Sequence, residues 1–259
     1  MGILNITPDS FFSNSRYSID DAVKEAKTMI KNGADWIDIG GESTRPGASK
    51  ISIEEETSRV IPVIKQLRND NPEVMISIDT RNHQVARLAI ENGANMINDV
   101  SGLRDKQMLD LVLETGCAIC IMHMNGEPGN MQDNPSYSDV VEEVASQLEQ
   151  KAEELVAKGH SKELIVIDPG IGFGKTFNHN FKLLKNLKTF KEMAYPLLIG
   201  PSRKAFIGDV LNLPPDERVE GTIATVVAGI LNGANIVRVH DVKENKRAIT
   251  VTENILSAK

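Results

Sequence analysis

Cysteine is scarce in this chain, with two in 259 residues. Two thiols cannot build a disulfide framework in a chain this size, which points to a reducing compartment, the cytoplasm. Positive charge is in deficit: Lys and Arg number 29 against 36 Asp and Glu, a net charge of −7. A nucleic-acid binder carries a basic footprint, so no nucleic-acid partner is expected, although a local basic pocket for a small anion remains allowed. No apolar run approaches the roughly 20 residues of a membrane span, so no membrane partner is expected either. The stretch from Met1 to Ser10 lacks the basic region and apolar core of a signal peptide. Linkers, low-complexity stretches and charge blocks are also missing, which predicts one domain over residues 1–259. With 41% hydrophobic and 25% charged residues, the composition is that of an ordinary globular chain rather than a disordered one.

What the sequence does contain is repetition. Asn32-Gly33-Ala34-Asp35-Trp36-Ile37-Asp38-Ile39 is echoed by Asn92-Gly93-Ala94-Asn95-Met96-Ile97-Asn98-Asp99 and by Asn232-Gly233-Ala234-Asn235-Ile236-Val237-Arg238-Val239. Each copy reads as a helix closed on a glycine, followed by a short apolar strand. Ser18 with Asp21 and Ser52 with Glu55 read as capping boxes. Eight β-rich runs stand out: Ile3–Ile6, Trp36–Gly40, Met75–Asp79, Met96–Asp99, Ala118–His123, Leu164–Asp168, Leu197–Gly200 and Ile236–His240. A helical pattern follows nearly every one, as in Val140, Val141, Val144, Leu148, Ala152, Leu155 and Val156 before Gly159. Eight alternating units in about 250 residues predict an α/β TIM (β/α)8 barrel. A doubly wound sheet is the alternative, but the first turn, Ile6-Thr7-Pro8-Asp9-Ser10, is not its glycine-rich turn.

In such a barrel the active site lies at the C-terminal ends of the strands. Those ends carry Asn5, Glu42-Ser43-Thr44-Arg45, Asp79, Asn98-Asp99, His123, Asp168, Ser202-Arg203-Lys204, and Arg238 with His240. Core strands need no such polar ends, so this face reads as functional. Ser202, Arg203, Lys204, Arg238 and His240 gather after strands 7 and 8, where many such barrels bind phosphate; Arg238 could instead pair with a core carboxylate. Asp79 and Asp168, with Asn98 between them in strand order, can accept paired N–H groups from an amidine-like heterocycle, or pair with lysines for structure alone. Asn5 could offer its amide oxygen to one Mg²⁺. The loop Gly170-Ile-Gly-Phe-Gly-Lys175 fails both the P-loop and the dinucleotide spacing. It reads better as a glycine wall for a flat ligand, with Phe173 to cover it, than as a plain tight loop. Thr7–Phe11 and Thr44–Ala48 read as paired lids. Cys117 and Cys120 lie in strand-like sequence and are expected to be buried structural residues, not a redox pair. The five histidines show no zinc spacing.

Taken together in order, the motifs Met1–Phe11, Gly40-Gly-Glu-Ser-Thr-Arg-Pro-Gly47, Ser77-Ile-Asp-Thr80, Ile97-Asn-Asp99, Met122-His-Met124, Asp168–Lys175, Ser202-Arg-Lys204 and Arg238-Val-His-Asp241 resemble those of the dihydropteroate synthase family of folate biosynthesis, over essentially the whole chain. The resemblance implies a transferase that joins 6-hydroxymethyl-7,8-dihydropterin diphosphate to 4-aminobenzoate, releasing diphosphate. It implies that Asp79, Asn98, Asp168 and Lys204 hold the pterin, that Met122 and Phe173 line its slot, and that Arg238, His240 and Ser202 hold the diphosphate. It further implies Asn5 on Mg²⁺, Thr44, Arg45 and Pro46 around the aminobenzoate, catalytic roles for Asp79, Arg45 and Lys204, and a homodimer.

Two features depart from the family pattern. Ala205 stands where a serine often grips the substrate carboxylate, which leaves a derivative such as a glycosylated aminobenzoate open as the acceptor. The first loop, Phe11-Phe12-Ser13-Asn14-Ser15, lacks paired glycines. A pterin-dependent methyltransferase and a catalytically silent pterin-binding paralogue are the competing readings. The cationic group after strands 7 and 8 argues against the first, and the full set of site residues against the second.

Overall fold

The β-rich runs alternate between two kinds of neighbour, and that alternation decides the architecture. In β2 (Trp36–Gly40), Ile37 and Ile39 are fully buried in the main apolar cluster, while Trp36, Asp38 and Gly40 share the opposite face, as a period of two requires. β3 (Met75–Asp79) repeats the rule, with Ile76 and Ile78 on one face and Met75, Ser77 and Asp79 on the other. The set is completed by β1 (Gly2–Asn5), β4 (Met96–Asp99), β5 (Ala118–Met122), β6 (Ile165–Asp168), β7 (Leu198–Ile199) and β8 (Ile236–Val237). The computed structural model describes residues 1–6, 19–43, 50–127 and 129–258.

All neighbouring strands pair in parallel, β1 through β6 as one ladder and β7 with β8 as another. Backbone hydrogen bonds join the two ladders into a ring. Ile167 N–H donates to Pro196 C=O at 2.9 Å, Ile3 N–H to Val239 C=O at 2.9 Å, and Val239 N–H to Met1 C=O at 3.0 Å. They accompany parallel bridges Ile167–Leu197 and Gly2–Val239. The fold is therefore the expected closed (β/α)8 barrel.

Helices run between the strands: α1 (Ile19–Lys31), α2 (Ile53–Asp70), α3 (His83–Glu91), α4 (Lys106–Thr115), α5 (Val140–Ala157), α6 (Phe177–Lys185), α7 (Leu187–Lys191), α8 (Ala205–Leu211), α9 (Val219–Leu231) and α10 (Val242–Ser257). The repeated Asn-Gly-Ala is a Schellman ending of α1, α3 and α9. Gly33, Gly93 and Gly233 have φ of 97°, 104° and 112°, and the following alanine N–H reaches back to Met29, Ala89 and Gly229 C=O at 2.9–3.0 Å. Ser52 caps α2 by accepting from Glu55 N–H at 3.1 Å. Glu55 does not complete the expected box, because its carboxylate is drawn to Arg59 one turn on. Ser18 lies outside the described residues. The expected seventh strand is cut to two residues, since Pro196 and Pro201 bracket it and neither has an N–H to donate. The eighth keeps its ladder only over Ile236–Val237, and Arg238 N–H still reaches Ile199 C=O at 2.9 Å.

The barrel interior has two storeys. The lower is apolar: Met1, Met96, Cys120, Val166 and Leu198 pack together with Trp36, Ala118 and Ile236. The upper, at the C-terminal strand ends, carries Asp38, Asn98, Asp168 and Arg238 two residues beyond Trp36, Met96, Val166 and Ile236 on the same inward face, with Asn5 and Asp79 beside them. Continuing the inward faces of β2, β4, β6 and β8 past their apolar half thus delivers polar side chains to the mouth, whereas β5 brings Met122 there.

Candidate active site

Arg238 is the hub of the mouth. Its Nε donates to Asp38 Oδ2 at 2.5 Å and its Nη2 to Asp79 Oδ2 at 2.6 Å. Asn98 Nδ2 donates to the same Asp38 oxygen at 3.2 Å. Asp38, Asp79 and Asn98 are all buried. Burial alone would pull the Arg238 pKa down, but the two carboxylates outweigh it and hold the guanidinium above its ordinary range. Asp79 is pushed upward by burial, with Arg238 opposing and Asp38 adding to the rise, because two carboxylates share one cation. Asp79 Oδ1 and Asp38 Oδ1 are buried without a partner among the described residues, an arrangement that is costly unless a ligand or water donor completes it. The core-carboxylate alternative for Arg238 is therefore the geometry adopted here. Sequence reasoning missed Asp38, although it lies two residues before Gly40 on the inward face of β2, and strand periodicity alone marks it as a barrel-lining carboxylate.

The second half of the site is built by the loop after β6. Asp168 Oδ1 accepts from Gly170 N–H at 2.7 Å. Burial raises the Asp168 pKa, opposed by Lys204, by that N–H, and by Lys175 and Arg238. Lys204 donates to Ile171 C=O and stands 4.5 Å from the Phe173 ring centroid, a cation–π contact. Burial brings its pKa down to about 8, against the pull of Asp168. Met122 packs with Val100, Met124 and Met131, and Phe173 lies against them. Two of the loop glycines answer to backbone approach. A Cβ on Gly170 would stand 1.9 Å from His123 C=O, and one on Gly174 2.3 Å from Asn125 C=O, both at positive φ. Only Gly172 faces the site, against the Lys204 side chain. Further bonds fix the loop, from Gln132 to Gly172 C=O and from the Tyr137 hydroxyl to Gly174 C=O.

Beyond β7, Ser202 Oγ lies 2.9 Å from His240 Nδ1 and accepts from His240 N–H at 3.1 Å, so these two residues are brought together as expected. Arg203 is not available beside them. It binds Asp241 through Nε at 2.9 Å and Nη2 at 2.5 Å, from a backbone with φ of 57°. At the end of β1, Asn5 pairs with Gly40, which pairs with Asp79. A Cβ on Gly40 would lie 3.6 Å from both Asn5 Oδ1 and Asp79 Oδ2, so glycine there leaves open the space these oxygens border. Among the described residues, no three His, Cys, Asp or Glu side chains gather as a metal cage. Asp79 Oδ2 is taken by Arg238, so the Asn5 amide oxygen is what this corner offers, and one such oxygen suits a hard cation that keeps most of its waters. Thr44, Arg45, Pro46 and the Thr7–Phe11 segment lie outside the described residues. The segment carrying Thr44 leaves from Glu42, which is gripped by Arg81 at 2.9 and 2.8 Å. Cys117 and Cys120 are unpaired, and burial raises both thiols, Cys120 strongly.

A family profile described as "Pterin binding enzyme" matches residues 1–240. A dihydropteroate synthase of Escherichia coli K12 is 47% identical over 260 aligned positions, covering 100% of this chain and 92% of that protein. The crystal structure of a Clostridium difficile dihydropteroate synthase in the presence of pteroic acid superposes with a TM-score of 0.92 at 45% identity, covering 100% and 96% of the two chains. That of the Xanthomonas albilineans dihydropteroate synthase with 4-aminobenzoic acid gives a TM-score of 0.94 at 40% identity, covering 100% and 93%.

Proposed function

This chain belongs to the pterin-binding enzyme family, and we propose that its barrel mouth catalyses the dihydropteroate synthase reaction, transferring a dihydropterinylmethyl group from its diphosphate to the amine of 4-aminobenzoate. The observation that carries this reading is the convergence of buried Asp79, Asn98 and Asp168 with Lys204 on one end of the barrel. A flat heterocycle with adjacent N–H donors suits such a set, because buried carboxylates accept paired N–H groups and Asp79 Oδ1 has no partner among the described residues. Asp168 would accept from the amino-pyrimidinone edge, with Asn98 and Lys204 on the ring's other polar atoms and Met122 and Phe173 on its faces. His240, held by Ser202, would take the diphosphate oxygens together with the part of the Arg238 guanidinium that Asp38 and Asp79 do not engage.

The bond that breaks joins a methylene to diphosphate, and the dihydropterin ring can delocalise the charge left on that carbon. Asp79, whose Oδ1 has no partner among the described residues, would stabilise this cation as the C–O bond opens. Diphosphate leaves with the bonding electrons, the aryl nitrogen forms the new C–N bond, and its proton is released to solvent. The amine is neutral near pH 7, so no strong general base is required. Asn5 would hold Mg²⁺, which when bound neutralises charge on the departing diphosphate. Thr44 and Arg45 would frame the aminobenzoate.

A homodimer is supported by apolar residues one turn apart on α10, Val251 and Ile255, which are 61% and 66% exposed. Ile255→Glu is expected to shift sedimentation toward monomer. Cytoplasmic location is supported by the two unpaired cysteines. The site reading is tested by calorimetry with 6-hydroxymethyl-7,8-dihydropterin diphosphate and with methyltetrahydrofolate. Far tighter binding of the diphosphate is expected; the opposite preference would favour methyl transfer.

A further inference from the structure

Lys175 is a lysine with almost no exposed surface, 1%, and the reaction described above gives it no part. Its Nζ lies 2.9 Å from Phe173 C=O, 3.0 Å from His123 Nδ1 and 3.3 Å from His123 C=O. Three acceptors match the three hydrogens of an ammonium group, so the geometry suits the charged form. The acceptors belong to two different strand-end loops, which makes the side chain a brace between the β5 and β6 ends. His123 can act as acceptor because it is neutral: burial, with Lys175 beside it, brings its pKa down to about 3. Both loops carry pterin-slot residues, Met122 next to His123 and Phe173 itself.

A buried cation that faces no water directs its charge into the protein, and here that means Asp168. The charged and titratable groups around Asp168 are Lys175 from its own loop, Lys204 from the start of α8, Arg238 just after β8 and Cys120 from β5, with Asp79 of β3 facing the same Lys204 and Arg238. Lys204 and Arg238 would also contact substrate, whereas Lys175 is sealed beneath the loop. From this placement, and resting on the pterin reading of the mouth, we propose that Lys175 is a positioning residue for pterin recognition: it locks the two loops together and keeps Asp168 ionised to receive the ring's N–H groups. Burial lowers the Lys175 pKa to about 7, so below that pH the brace is charged.

The test is the pH dependence of binding of 6-hydroxymethylpterin, which carries no phosphate to titrate, by calorimetry from about pH 4.5 to about pH 7. Wild-type affinity is expected to fall along an acid limb as the buried carboxylates of the slot, Asp79 and Asp168, take protons, and the part that belongs to Asp168 is the part a Lys175 variant should move. Lys175→Gln keeps amide donors for the carbonyls but removes the charge, and should move that limb up by about one pH unit. Lys175→Arg keeps the charge and should leave the limb in place, even with weaker binding from an imperfect fit. A limb that Lys175→Gln leaves in place, or that both variants move equally, overturns the proposal alone. A wild-type chain that binds no pterin at any pH overturns the pterin reading and this inference with it.

Discussion

At the residue scale the mouth is a problem of charge sharing. One guanidinium, Arg238, serves two buried carboxylates, and removing one member of such a set leaves a buried charge poorly matched. Asp38→Ala is expected to cost on the order of 3 kcal/mol of unfolding free energy in urea; a loss under about 0.5 kcal/mol would mean that Asp79 alone suffices to hold Arg238. Asp79→Asn keeps size and packing but loses the charge that opposes the developing cation. It should lower kcat by about a hundredfold while changing pterin affinity far less, measured by steady-state kinetics beside calorimetry. The residues of this half of the site were largely legible because each sits at a predicted strand end. Asp38 was not, because it lies inside a strand, below the end, where attention to strand termini overlooks it. Lys175 was visible only as part of a glycine loop, since nothing in a lysine's local sequence announces that its ammonium will be buried.

At the element scale the loops after β5 and β6 behave as one unit. Gly170→Ala would drive a Cβ to 1.9 Å from His123 C=O at a φ of 67°, whereas Gly116→Ala, at a φ of 63°, meets nothing within 4 Å. Gly116→Ala should therefore cost only about 1–2 kcal/mol from its left-handed backbone. Gly170→Ala should cost several kcal/mol more and weaken pterin binding, since the two loops must part. Urea midpoints for the pair separate backbone conformation from close approach. The strands were readable to within a residue or two, because helix ends recur as Asn-Gly-Ala and strands as short β-branched runs; the exception is β8, which ends three residues before the His240 expected for it. The shortening of β7 was legible in principle from Pro196 and Pro201. The purpose of Gly170 and Gly174 was not, because a glycine's reason lies in what passes above it, and that partner, the loop after His123, is distant in sequence.

At the scale of the whole molecule, buried titratable groups set opposing pH responses. His123 has a folded pKa of about 3, below its ordinary value of 6.5, so the unfolded chain binds the proton first and stability falls as pH drops below about 6.5. Asp79, Asp99, Asp168 and Glu56 are raised by burial. Their contribution runs the other way and is lost as pH rises from the ordinary carboxylate range through their folded values. His123→Gln should therefore lose less stability than the wild type between pH 7 and pH 5, by on the order of 1–2 kcal/mol in urea titrations; equal losses would mean that this imidazole is already charged when folded. The same storeyed interior that buries these groups is what gives the barrel one polar mouth and one apolar floor, and the catalytic account depends on that division. Its most direct test is diphosphate release from 6-hydroxymethyl-7,8-dihydropterin diphosphate in the presence of Mg²⁺, with and without 4-aminobenzoate. The account predicts release that depends on 4-aminobenzoate and yields dihydropteroate, while release indifferent to 4-aminobenzoate, or no release with it, would contradict it.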